Sequence, residues 1–108
     1  MSFRNAELRA SRAAMKRLAN ASAVFYEPGE ISIEVQQCHF VEPYQGLDGG
    51  EVMVESSAPV LYVLEEDLPS IPEHDWEINT RNRWFQVQNP KPDGVGMIAI
   101  ELEEIDAP

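Results

Sequence analysis

The sequence predicts a mainly β protein: a small antiparallel β-sandwich or barrel of about seven short strands, with one N-terminal α-helix. Three observations lead there. Apolar and polar residues alternate with period 2 in several short stretches, clearest in Met97-Ile98-Ala99-Ile100-Glu101-Leu102. Turn-forming residues separate these stretches at roughly even spacing. The chain has 108 residues, the size of one modest domain with a limited core.

The N-terminal element rests on composition. Between Ala6 and Ala21 there are six alanines, joined by Leu8, Met15 and Leu18, and Ser2 is a candidate helix cap. Leu8, Met15, Leu18 and Ala19 share one thin apolar face. Arg9, Arg12 and Lys16 edge it, and Arg17 lies opposite. Two readings stay open at this point: a helix packed on the body, or a segment that orders only on a partner. The expected division is an arm over 1–22 and a β-sandwich body over 23–108.

The β region begins at Ser22 to Tyr26, and Glu27-Pro28-Gly29-Glu30 reads as a turn. Ile31, Ile33 and Val35 start a second strand with one wet face. Cys38 and Phe40 fall in the opposite register, which predicts a bulge at Gln36-Gln37. Glu42 to Gly50 is a long loop with three glycines, the kind that carries contacts. Glu51 to Glu55 reads as a short strand, and Val60 to Leu64 as a central one. Glu65 to Pro72 predicts a single helical turn that places Leu68 and Ile71 on the core. Trp76 to Ile78, Trp84 to Val87 and Ile98 to Leu102 complete the set. The turn Asn79–Asn82 and an exposed loop over Pro90–Gly96 join them, and Glu103–Pro108 is expected to be an acidic tail.

Charge is segregated. Residues 1–17 carry five basic residues against one acid, Glu7, a net of +4; residues 18–108 carry three against eighteen, a net of −15. An acidic body of this kind repels nucleic acid, so no direct sequence-specific nucleic-acid binding is expected. The basic arm against the acidic body suggests contact between copies. A single cysteine, Cys38, rules out an internal disulfide and suits a reducing compartment. No apolar run of about 20 residues is present, so no membrane helix is expected, and no signal peptide is apparent.

Candidate chemistry is thin. Cys38 and His39 point to opposite faces of a strand, and with His74 they match no metal-ligand spacing. A Cys38 nucleophile with His74 as base has no local support. Glu65-Glu66-Asp67 and Glu103-Glu104 lack the spacing of a calcium loop and read as solvated charge. The glycines at 94 and 96 precede neither a helix nor a Lys-Ser/Thr pair. Trp76, Trp84 and Phe85 suit a core or an interface better than base stacking in an acidic sheet. No catalytic residue, cofactor or metal is expected, and the chain reads as non-enzymatic.

From Ser57 onward the motif order is more specific. Pro59-Val60-Leu61-Tyr62-Val63 is followed by Asp67-Leu68-Pro69, then Trp84-Phe85-Gln86-Val87, Asp93-Gly94-Val95-Gly96, and Ile98-Ala99-Ile100-Glu101-Leu102. This order resembles the head–tail joining (tail-attachment) proteins of lambda-like bacteriophages over about half the chain. The first half agrees loosely. One departure is Glu73-His74-Asp75, where that family usually has Gly-Asp; the acidic body is another.

The resemblance implies a β-bodied virion structural protein that completes the head and forms the surface on which the tail docks. It implies a homo-oligomeric ring, a hexamer by family, contacting head connector or portal-side proteins and a tail terminator protein. The location implied is the virion, assembled in the bacterial host cytoplasm. On this reading Arg9, Arg12, Lys16 and Arg17 form the subunit or connector interface, and the loop with Tyr44, Leu47 and Asp48 docks the tail. The alternative from another class is a small acidic binding module, a nucleic-acid mimic or host-factor inhibitor.

Overall fold

The computed structural model describes residues 3–42 and 58–108. Helix α1 (Phe3–Leu18) is followed by β1 (Ala21–Tyr26), β2 (Ile33–Val41) and β3 (Val60–Leu64). A 3₁₀ turn at Glu65–Asp67 leads to β4 (Glu77–Thr80), β5 (Arg83–Pro92) and β6 (Met97–Ile105). All neighbours are antiparallel, and the order β1-β2-β3-β6-β5-β4 closes when β4 pairs back onto β1. Of the two architectures the sequence allows, the body is therefore a closed barrel and not a two-sheet sandwich. Closure pairs strands that a sandwich would leave as edges. Six strands lie among the described residues; the expected strand Glu51–Glu55 falls outside them, as do Tyr44, Leu47 and Asp48.

One core fills the barrel. Phe25, Leu61, Ile78, Phe85, Val87, Ile98 and Ile100 are fully buried, and Trp76 packs edge-on against Phe25 with ring centroids 6.4 Å apart. These residues come from alternate positions of each strand, as the period-2 pattern requires. The Gln36-Gln37 irregularity is real: Ala21 faces Cys38 while Ala23 faces Val35, so Gln36 and Gln37 of β2 oppose the single Ser22 of β1. The bulge returns Cys38 and Phe40 to the inner face, where both are buried.

Several boundaries differ from expectation. Strand β2 begins at Ile33, leaving Ile31 in the turn and 86% exposed. Asn79 and Thr80 belong to β4, and the turn is the two residues Arg81-Asn82, both at positive φ (56° and 61°), a type I′ hairpin. Leu68 packs on the core as expected, but Ile71 stays exposed and Pro72 is buried in its place.

Strand β5 runs through Pro90 and Pro92, which the sequence suggests for a loop. Two residues apart, both prolines direct their nitrogens to one edge, and β5 pairs with β4 only over Arg83–Gln86. The prolines therefore lie where no ladder bond to β4 is needed. Glu103 and Glu104 are likewise in β6, opposite Gln86 and Phe85, leaving only residues 106–108 as tail. The Glu73–Trp76 turn closes through Trp76 N–H donating to Glu73 O at 3.0 Å, with no left-handed residue.

Because the barrel has a single core, truncating Phe25 creates a cavity that no second layer can fill. Phe25→Ala is expected to lower unfolding stability by about 3–5 kcal/mol, read as a drop in urea midpoint with the slope unchanged.

Candidate interaction surface

Among the described residues, helix α1 is the one α-helix outside the barrel. Leu8, Ser11, Met15 and Leu18 recur at three- and four-residue spacing and define the face turned to the strands. Met15 has no exposed surface, and Ser11 is buried, its Oγ donating to Val95 O at 2.7 Å. Val95 lies in the β5–β6 loop. That loop is held by Asp93 Oδ1, which accepts from Val95 N–H (2.8 Å) and Met97 N–H (3.1 Å). A Cβ at Gly96 would sit 3.0 Å from Leu8 Cδ2 and 3.2 Å from Ser11 Oγ, and its φ of +115° already disfavours any side chain. Gly96 thus lets the helix approach the loop. Ser11 did not stand out in the sequence, although it is on the same spacing as Met15 and Leu18; Gly96 was part of the Asp93-Gly94-Val95-Gly96 motif but not read as a contact of the helix.

The four cations expected at an interface divide. Arg12 is engaged within the chain: Nε and Nη2 both donate to the Glu66 carboxylate at 2.7 Å, tying α1 to the 3₁₀ turn. Arg9, Lys16 and Arg17 are exposed and make no salt bridge among the described residues. The hydrogen bond from Arg12 holds the Glu66 carboxyl below its usual range, whereas burial, and then Glu66, pushes Asp67 up. Lys16 and Arg12 line one wall of a cleft of about 540 Å³ whose other walls are Glu34 to Gln37 of β2 and Glu66-Asp67.

A second set of charges secures the barrel where β2 ends. Arg83 donates to Glu42 and, through Nε (3.1 Å) and Nη2 (2.9 Å), to Glu104. Its guanidinium lies 5.7 Å from the Phe40 ring centroid and 5.2 Å from that of Phe85; Arg81 covers Phe40 from 5.4 Å. Arg81 also donates to Asn20 O, and the Asn20 side chain bonds both backbone groups of Phe40. The junction from α1 into β1 is therefore bound to β2.

The soft ligands do not converge. Cys38 is buried, and burial, with a smaller contribution from Asp67, pushes its thiol up to about 12. His39 stacks on Tyr62, centroids 5.7 Å apart, while His74 Nδ1 lies 3.0 Å from Val87 O. No group of three His, Cys, Asp or Glu side chains among the described residues is arranged to hold a metal ion. Trp76 and Phe85 are core residues, and Trp84 packs on Tyr26 at 5.2 Å. No helix among the described residues is long and apolar enough to cross a membrane.

What remains on the outside is surface: a docked helix with free cations, an acidic barrel, and an apolar groove of about 290 Å³ beside Leu18. A sequence model of the phage head–tail attachment proteins matches residues 3–103. The chain belongs to that family. No curated protein sequence matches it. The matched span includes α1, β1 to β5 and most of β6, so the half of the chain whose motif order agreed only loosely is covered too. Membership makes the protein a structural component of the phage head–tail connection, and a virion component.

Three outcomes test this geometry. Cys38 is expected to resist a thiol reagent at pH 8 in the folded protein and to react at once on unfolding, since burial removes both access and thiolate. Gly96→Ala is expected to loosen α1 and to cost about 1 kcal/mol or more, read by denaturation and by faster amide exchange in α1.

The third outcome concerns pH. Glu66 titrates lower in the folded chain, so its pairing favours the docked helix above the unfolded carboxyl value of about 4.3. That contribution is lost as pH falls through the depressed folded value. Asp67, raised by burial, acts in the opposite sense and is relieved on acidification. Amide protection of α1 relative to Glu66→Gln should therefore be higher at neutral pH, and the difference should shrink as pH falls below the unfolded value of about 4.3 and vanish below the depressed folded value.

Proposed function

We propose that the protein acts without catalysis, as copies ringed on the DNA-filled head that complete it and present the docking surface for the tail. Residues 1–22 act as an arm and residues 23–108 as a body. Arg9, Lys16 and Arg17 contact the acidic surface of a neighbouring copy or of the head connector. A hexameric ring, portal-side neighbours and a tail terminator partner belong to this reading, as does assembly in the host cytoplasm. The tail-docking contact is assigned to Tyr44, Leu47 and Asp48, which follow Glu42 in the sequence.

The observation that carries the reading is the division of cations on α1. Among the described residues, Arg12 is the α1 cation that meets an acid of its own chain, while Arg9, Lys16 and Arg17 project from a docked helix on a protein of net charge −11. Positive charge exposed on such a chain is complementary to the acidic surface of another copy. Arg12 is accordingly assigned to fixing the helix and not to the interface. No observation favours an acidic mimic of nucleic acid.

The test is joining of purified heads lacking this protein to purified tails. Changing Arg9, Lys16 and Arg17 together to Gln should leave the barrel's thermal unfolding in place and reduce joined particles by about tenfold or more. Unimpaired joining by that variant would overturn the role of the helix.

A further inference from the structure

On the outside of the barrel, away from α1, lies an aromatic patch that neither the core nor the helix uses. Cross-strand register lines up Glu34, Val24, Asn79, Trp84 and Ile105 in one row over β2, β1, β4, β5 and β6. The adjacent row is Tyr26, Glu77, Gln86 and Glu103. Buried Phe25, Ile78 and Phe85 alternate with these positions along their strands, so both rows point outward. Tyr26 and Trp84 meet above the short strand β4, with ring centroids 5.2 Å apart. Tyr26 is 39% exposed, and Val24, Trp84 and Ile105 are partly buried.

Acids border this patch. Glu34 is the cross-strand neighbour of Val24, and Glu77 that of Tyr26. Glu103 ends the second row and accepts from Gln88 Nε2 at 2.7 Å. None of the three carboxylates makes a salt bridge among the described residues. No lysine or arginine stands in either row; Arg81 and Arg83, at the β4–β5 turn, lie over the Phe40 ring instead.

We propose that this face docks a basic segment of a tail protein, with a Lys or Arg over Trp84 and Tyr26 and an apolar neighbour against Val24 or Ile105. The proposal rests on the reading above that the protein joins head to tail through its surfaces; it adds a surface and the chemistry of its partner. Three features select this occupant. A cation over the aromatic pair is attracted both by the rings and by Glu77 and Glu103, whereas an acidic segment is repelled. Helix α1 packs on β2 and β3, and in the closed strand order β4 stands opposite β3, so the patch looks away from the helix. With α1 assigned to a neighbouring copy or the head connector, the second body to be joined meets a surface directed the other way. The α1 helix of another copy is a poor occupant, because its free cations lie apart from Leu8, Met15 and Leu18, which turn to its own strands.

The test places a photoreactive side chain in the patch. Protein with Tyr26→p-benzoylphenylalanine is loaded on heads that lack the protein, joined to purified tails and irradiated. The linked peptide is then read by mass spectrometry. The expected product joins this chain to a tail protein, within a segment that holds a Lys or Arg next to an apolar residue. Adding Glu77→Lys and Glu103→Lys together should cut that product about tenfold, with thermal unfolding unchanged. Glu77→Gln with Glu103→Gln should cut it less, and replaces the lysine pair if that pair disturbs the fold. Trp84→Phe should keep the product, and Trp84→Thr should lose it.

A product with a second copy or with a head protein would overturn the assignment, as would a product that the charge changes leave undiminished. Joined particles without any cross-linked product would overturn it as well and leave the proposed function standing. Joining of heads and tails with the protein omitted would defeat that function itself, and this surface with it.

Discussion

Closure of the sheet is the constraint on which the rest depends. With β4 returned to β1, every strand directs one face into a single interior, and Trp76, Phe25, Phe85 and Ile78 occupy it. Hydrophobic burial at that centre supplies the main favourable term for so small a chain. Residues that a reader of the sequence weighs as chemistry are consumed by this packing. Cys38 lies on the inner side of a bulge, and its thiol is held in the protonated form. Trp76 supports Phe25, and its carbonyl accepts from Val87. Activity then has to reside on the outside of the barrel.

On that outside, helix α1 is fixed by three kinds of contact of unequal strength. Met15 is buried against the strands, Ser11 donates to the β5–β6 loop, and Arg12 pairs with Glu66 in solvent. The first two are protected from water, and the glycine at 96 allows the backbones to come close enough to make them. The ion pair is exposed and screened by salt, so it contributes orientation more than affinity. A helix held in this way presents Arg9, Lys16 and Arg17 in fixed directions, which is what recognition between copies or by a connector requires.

Much of this was legible in the residues. Ile98, Ile100 and Leu102 announce β6 by alternation, Val60–Leu64 reads as a central strand, and the Gln36-Gln37 break marks a bulge that the register confirms. The motif order from Pro59 to Leu102 led to the right family. What was not legible depends on distant partners. Pro90 and Pro92 look like loop residues until the absence of β4 beside them is known. Glu103 and Glu104 look like a tail until Gln88 and Arg83 are found beside them. Arg12 is indistinguishable from Arg9 or Lys16 along the helix, and only the fold brings Glu66 to it, 54 residues away. Alternation alone does not separate a sandwich from a barrel, because both bury one face of each strand.

On the proposed function, this protein joins head to tail by the surfaces it presents, with α1 as the charged element of contact. Electron cryomicroscopy of the head–tail junction in assembled particles tests that most directly. The account predicts copies of the barrel in a ring, with the Arg9, Lys16 and Arg17 side of α1 against acidic residues of a neighbouring copy or of the connector. A ring in which that side of α1 faces open solvent in every copy would contradict it.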